Sequence, residues 1–421
     1  MRNRAFLSKR NFIKIISLFS LATIFNLYSR EETKTVQNNS KKQIKKDLIK
    51  WDSIELHRTG TKGDEQTAFW LADEIKKCDL QPQLDSFSFT KRTPGKCEVT
   101  NGTFKAKGLP MFDGGSTSSK GITEVSGSLN EKNVIAVTKY SSSTMDEASL
   151  RLNEARKEGK HLAIVAIAEV APNAPGLAVL NAESYRKPFG PPVLQVATKE
   201  QDWLLNLNKN EELTVFVQLT DEKSEALNIQ TKIEGKDKSL SPLVIMTPKS
   251  GWWTCTSERG GGIAIWLNAM RYFAQNKPNR NVIFTANTGH ELSHIGLDHF
   301  LENNPSLVNE AHAWVHLGAN FAAKKGNVLW QASNKDYMNI GIEELASSGL
   351  DEVQAWPVSS RPLGEARNIY DGGGQFISLL GSNSLFHHPE DRWPEAIDMA
   401  KLEKLNSFMM KMITNMANSN A

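Results

Sequence analysis

The chain is poor in cysteine. Only Cys78, Cys97 and Cys255 occur among 421 residues, too few and too scattered for a disulfide framework or a cysteine-based zinc finger. At most one disulfide can form, and any metal has to be held by His, Asp and Glu. A surplus of charge is lacking as well: 50 Lys and Arg stand against 47 Asp and Glu, and a net charge of +3 over this length gives no reason to expect nucleic-acid binding. Sixteen prolines and 28 glycines are ordinary usage, which excludes collagen-like and low-complexity classes, and no internal repeat is evident. What is present is enough apolar sequence, 39% of residues, to bury one substantial core or two.

The N-terminus reads as a targeting segment. Basic Met1 to Lys14 precedes an apolar stretch, Ile15 to Tyr28, too short for a comfortable membrane span. Within it, Ser8-Lys9-Arg10-Asn11-Phe12-Ile13-Lys14 resembles a twin-arginine export signal with Lys in place of the first Arg. An ordinary secretory signal stays open, and the missing small-x-small cleavage site leaves open an uncleaved membrane anchor. The expected location is periplasmic or extracellular. Residues 30–48, rich in Lys, Asn, Glu and Gln, read as a solvated linker.

Globular patterning follows. Apolar spacing predicts a helix from Asp64 to Cys78. Between Asn133 and Leu219 it predicts a small α/β module: strand Asn133 to Thr138, helix Met145 to Glu158, strand Leu162 to Ala168, and strands near Val193 and Leu213 to Leu219. Gly- and Ser-rich Gly114 to Gly127 and charged Asp221 to Lys238 mark its borders. From Pro242 onward, strands Leu243 to Thr247, Asn281 to Asn287 and Ala313 to Leu317 alternate with helices Gly262 to Gln275 and Leu402 to Met416. That alternation predicts a doubly wound α/β sheet.

Seven of the nine histidines lie between His290 and His388. His290 and Glu291 follow the Val282–Asn287 strand at its carboxyl end, and His316 closes another strand, where open α/β sheets gather ligands. A convergent set of His and Glu there is a reasonable divalent-metal site. His290-Glu291-Leu292-Ser293-His294 also fits H-E-x-x-H. Its context is poor, because Gly289 and a strand immediately precede it and His299 falls one residue short of the extended pattern. His294 and His299 are expected on the outer turns of a following helix.

The run from Asn281 to Phe300 resembles the strand, paired glutamates and following helix of the co-catalytic zinc aminopeptidase family, which includes glutaminyl cyclases and glutamate carboxypeptidases. Ser257-Glu258-Arg259-Gly260-Gly261-Gly262, Ala313 to Gly318 and Phe386-His387-His388-Pro389-Glu390-Asp391 are similar to its other motifs, in the family's order. Residues 114–238 resemble a protease-associated domain. The resemblance implies a doubly wound mixed sheet with helices on both faces plus this inserted α/β domain, the main domain being split into 49–113 and 239–421.

Carried over by position, the resemblance places Thr247 and Lys249 where the family has a ligand pair, Glu258 on the bridging Asp, His290 on the general base, Glu291 on a ligand, His316 on a later Asp ligand and His387 on the last His. It implies metal ligands Glu258, Glu291, His316 and His387, with His290 as catalytic proton carrier, and one zinc ion rather than two. Alternatively His290 is itself a ligand. Trp252 and Trp253 are candidates for lining a substrate cleft, although such residues serve packing as often. Gly260-Gly261-Gly262 reads as close backbone packing. The implied function is metal-dependent hydrolysis of an amide bond in a peptide or an N-acylated small molecule; amide transfer or cyclisation, and a catalytically inactive binding module, remain as alternatives. The oligomeric state is not legible.

Overall fold

A computed structural model describes residues 40–169, 176–208, 210–350 and 353–419. The chain divides into two units, Met1–Lys46 and Asp47–Ala421. Of the first, only residues 40–46 are described, and they are helical. The targeting segment expected over residues 1–29 lies outside the described residues. Among the described residues no helix is long and apolar enough to cross a membrane. All three cysteines are free.

In the second unit thirteen described strands join in one mixed sheet: β1 Gln83–Thr100, β2 Lys105–Pro110, β3 Ile122–Gly127, β4 Ile135–Ser141, β5 Ala163–Glu169, β6 Val193–Val196, β7 Glu212–Ile233, β8 Leu243–Pro248, β9 Val282–Asn287, β10 Ala313–Leu317, β11 Val328–Ala332, β12 Val353–Ala355 and β13 Phe376–Gly381. Their order is β1-β2-β6-β5-β4-β3-β7-β9-β8-β10-β13-β11-β12, with β1 also paired to β7. The first seven strands therefore close on themselves, around a core of Val99, Ile135, Val165, Leu194, Leu213 and Val215.

The remaining strands carry the doubly wound half. β9, β8, β10 and β13 are mutually parallel. β8 and β10 are buried at every residue, as expected for strands covered on both faces. Alternation sends Val244 and Met246 toward a cluster with Leu297, Phe300 and Ile369. On the opposite face, Trp266 of the Gly261–Gln275 helix donates to Ile245 O and meets Phe284 edge-on. A Cβ on Gly262 would lie 2.8 Å from both Leu317 O and Thr247 Oγ1, so this helix begins hard against the ends of β8 and β10.

One long element was not anticipated from the sequence. β1 and β7 pair antiparallel from Gln83↔Gln230 to Thr100↔Thr214. Residues 221–233, inside the charged run taken as a border, thus continue as strand. Asp221, Glu222 and Lys223 are exposed there, on the middle of the ribbon, which faces solvent and needs no apolar alternation, before burial resumes at Ala226.

A buried histidine ties the leading helix, Lys62–Lys76, to this body. His57 stacks on Trp51 with ring centroids 3.7 Å apart and hydrogen-bonds Thr67 Oγ1 through Nδ1. Burial brings its pKa down to about 3. The imidazole is then neutral in the native state, while the unfolded chain binds a proton below about 6.5. Its contribution is present above pH 6.5 and is lost as pH falls toward 3. We expect this one group to cost about 3 kcal/mol of stability between pH 7 and pH 4.5. Urea unfolding at the two pH values, on the wild type and His57→Phe, measures it; an unchanged pH slope in the variant would show that His57 is not responsible.

Candidate active site

Five segments meet outside the carboxyl ends of the parallel strands. Glu258 comes from a wide turn, Thr256–Gly260, that opens the Gly261–Gln275 helix. Asp391 holds this turn: it accepts from Ser257 N at 2.7 Å and Glu258 N at 3.0 Å. Burial pushes the Asp391 carboxyl up to about 7. His290 and Glu291 follow β9, His316 lies in β10, Glu365 precedes the Ala366–Asp371 helix, and His387 follows β13 with a left-handed backbone, φ 58°.

Two carboxylate–imidazole pairs form. Glu258 Oε1 lies 3.5 Å from His387 Nε2, and Glu365 Oε1 lies 3.4 Å from His290 Nδ1. They differ in charge compensation. Glu258 also meets the Arg259 guanidinium at 2.7 Å. Burial alone would raise the Glu258 carboxyl, but Arg259 and then His387 outweigh it and bring it down to about 2. Glu365 has no such partner at contact distance, and burial pushes it up to about 8. His290 is held well below the ordinary imidazole range by burial, then by Arg259.

His316 contributes a third imidazole. Its Nδ1 meets Ser378 Oγ at 2.8 Å, and burial lowers its pKa to about 3. Its ring has room only because two neighbours lack side chains: a Cβ on Gly318 or Gly364 would come within 2.7 or 2.9 Å of His316 Cε1. Both oxygens of Glu258 and Glu365, both ring nitrogens of His387, His290 Nδ1 and His316 Nε2 are buried without a hydrogen bond.

The other residues singled out from the sequence are engaged elsewhere. Glu291 Oε1 accepts from Thr59 N and Thr59 Oγ1, both at 2.7 Å, and Oε2 accepts from Ser250 Oγ at 2.7 Å, so its carboxylate is spent on fixing these two segments. Thr247 Oγ1 donates to Leu317 O. Lys249 turns its ammonium to the buried carboxylate of Asp64. Trp252 is buried in a cluster with Phe112 and Tyr185 and donates to Asn181 Oδ1; Trp253 packs against the same cluster. Neither lines the cleft, because this cluster takes up their apolar surface. The H-E-x-x-H residues are not helical: Ser293 and His294 have φ of 65° and 59°. His294 is not on an outer turn either. It is buried, stacked on His290 at 4.7 Å, with Nδ1 on Asn368. Glu365 is the residue that sequence reasoning missed, since a single Glu after Gly364 in a loop carries no spacing signal.

His290, His294 and His387 line an open cleft of about 530 Å³ together with Asn320, Trp356 and Arg367. His388 faces away, its Nδ1 accepting from Glu390 N.

Residues 257–347 match the family model for peptidase family M28. No curated protein matches the chain in sequence. Among solved structures, the chain is similar to BSAP, a zinc aminopeptidase from Bacillus subtilis, with TM-score 0.73, 12% identity, and coverage of 91% of this chain and 96% of that one. It is similar to an M28 peptidase precursor from Shewanella amazonensis SB2B, with TM-score 0.69, 12% identity and coverage of 91% and 98%. It is also similar to an aminopeptidase from Aneurinibacillus sp. strain AM-1, with TM-score 0.66, 14% identity and coverage of 90% and 94%. These likenesses show that the fold is that of the zinc aminopeptidases.

Three of the positions where the resemblance expects metal ligands are already engaged. Thr247 and Lys249 are committed elsewhere, Glu291 already accepts three hydrogen bonds, and Arg259 lies on Glu258. Among the described residues no group of three His, Cys, Asp or Glu converges to hold a metal ion as the side chains stand. The orphaned imidazole nitrogens and carboxylate oxygens fit a divalent metal ion in chemistry. Two ligands of a tetrahedral zinc, each at about 2.1 Å, lie roughly 3.4 Å apart, the separation of the His290–Glu365 pair.

The Lys249–Asp64 pair is a structural bond, and its loss has a sign. Asp64→Ala leaves a buried ammonium without a counter-charge and should cost about 3–5 kcal/mol, whereas Asp64→Leu with Lys249→Met removes both charges and should cost much less. Urea unfolding of the two variants beside the wild type measures the difference, and equal losses would mean that the pair is not what matters.

Proposed function

We propose that the chain is a metal-dependent hydrolase of amide bonds in peptides or N-acylated small molecules, working with a single divalent ion. The observation that carries this reading is the set of buried donors without hydrogen bonds on Glu258, His290, His316, Glu365 and His387, beside an open cleft in a zinc-aminopeptidase fold. Buried polar atoms left without partners call for a ligand that satisfies them.

Charge decides which pair takes the ion. Glu258 is already balanced by Arg259, so a cation is missing only at Glu365. We assign the ion to His290 and Glu365, with His316 Nε2 the third unpartnered donor; two imidazoles and one carboxylate are a ligand set of catalytic zinc. This replaces the proton-carrier role that the resemblance gave His290 with a ligand role. A bound ion supplies Lewis acidity to the amide carbonyl and to the attacking water. Proton transfer then falls to His387. It lines the cleft, and the ionised Glu258 beside Nε2 orients the ring and stabilises it when protonated, so that it takes a proton from water and returns it to the leaving amine. Arg367, at the same cleft and paired with Glu183, orients the substrate.

The remaining assignments rest on sequence. Export is supported by the basic and apolar segment ahead of residue 29, and a protease-associated-like role for residues 114–238 by their resemblance and their place before the parallel strands.

Metal content by mass spectrometry, with turnover on a panel of aminoacyl-4-nitroanilides and N-acyl amino acids, tests the reading. The wild type should hold one ion. His290→Ala and Glu365→Gln should lose it together with activity, while His387→Ala keeps the ion and turns over about 10²–10⁴-fold more slowly. A wild type with neither ion nor amide turnover would make the chain a binding module. Loss of the ion in His387→Ala would return the site to the ligands expected from the resemblance.

A further inference from the structure

We infer that Arg259 is a built-in substitute for a second metal ion: its guanidinium occupies the cation position on Glu258 and keeps a divalent ion out. This rests on the single-ion reading above and adds a residue to it. The side chain of Arg259 has no exposed surface, and its Nε donates to Ser250 O at 2.8 Å, which anchors the fork from the β8 loop. One arm reaches Glu258 Oε1 at 2.7 Å, while Nη1 and Nη2 make no hydrogen bond of good geometry. The guanidinium is thus held at one end by a hydrogen bond and at the other by charge.

The neighbours agree with that placement. Glu258 falls where the zinc aminopeptidases are expected to carry a bridging carboxylate, so its oxygens are where a second cation would bind. Lys249, at the end of β8, is drawn off to Asp64, so Glu258 and His387, 3.5 Å apart and both with unpartnered atoms, are the ligands that position keeps once the guanidinium is gone. A divalent ion on the same oxygen would stand beside a fixed positive charge in a fully buried setting, where repulsion is weakly screened. The guanidinium keeps its proton, so its charge stays in place on Glu258. The same residue thus balances the proton-transfer pair and limits the centre to one ion.

The test measures zinc per chain after dialysis, and thermal unfolding with and without Zn²⁺, on the wild type, Arg259→Ala, Arg259→Gln and Arg259→Lys. Both neutral variants should take up one more equivalent than the wild type. Each should unfold at lower temperature without metal and recover most of that loss with Zn²⁺, because the ion replaces the missing charge on Glu258. Arg259→Lys keeps a charge and should keep the wild-type stoichiometry. Neutral variants that hold no more zinc than the wild type overturn the inference and leave the single-ion hydrolase standing. Failure of both to fold even with Zn²⁺ also overturns it, as does a second ion in the wild type or in Arg259→Lys. A wild type without zinc whose neutral variants bind it would sustain the inference and remove the hydrolase reading.

Discussion

Burial of carboxyl groups at one sheet edge is the constraint on which this structure depends. An ionised carboxylate away from water needs a cation or several donors, and otherwise it keeps its proton. The chain uses each solution. Asp64 takes Lys249, Glu258 takes Arg259, and Glu291 takes three hydrogen bonds from Thr59 and Ser250. Asp391 accepts two backbone amides, and burial still holds it up near 7. Glu365 alone has none of these, which is why its carboxyl rises to about 8. Chemical roles follow from this distribution: saturated carboxylates build the edge, and the one left short of charge is where an external cation gains most.

The doubly wound half was legible because its strands are covered on both faces and read as unbroken apolar runs. Leu243–Pro248, Val282–Asn287 and Ala313–Leu317 fall within a residue or so of expectation. The β1–β7 ribbon was not legible as one element, since its middle, Asp221 to Glu225, is exposed or half-buried and largely charged between two buried ends, and its pairing spans more than a hundred residues. At the site, sequence order placed Glu258, His290, His316 and His387 together, because the strand ends that carry them are adjacent in the sheet. It could not say which way a side chain turns. Glu291 and Trp252 sit beside the site in sequence yet are consumed by neighbours from residues 59 and 181, and Glu365 arrives from a loop without a motif.

The closed β-lobe also shapes the cleft. Ala182 N donates to Glu291 O at 2.9 Å, Val179 N reaches His387 O, and Glu183 receives Arg367. Lobe residues Ser141 to Met145 and Asn181 then supply a wall of the cleft that Trp356 and Arg361 also line. Backbone bonds to the segments that carry Glu291 and His387 make this wall part of the site rather than a loose neighbour. The cleft is thus lined by lobe and sheet edge together.

His316 shows how much of such a site lies behind the residues that face it. Gln331 Nε2 donates to Ser378 Oγ at 3.0 Å, and Ser378 meets His316 Nδ1 at 2.8 Å. A hydroxyl oxygen with two lone pairs can accept from both, and in that arrangement Nδ1 carries the proton and Nε2 presents its lone pair to the site. The bare Cα atoms of Gly318 and Gly364 leave that face of the ring open, since a methyl group at either would press on Cε1. Strand register sets the same orientation, because His316 and Ser378 are direct partners across β10 and β13. A one-residue slip would send the two side chains to opposite faces of the sheet. The imidazole is therefore aimed by the sheet itself, and its availability follows from parallel pairing before any ligand arrives.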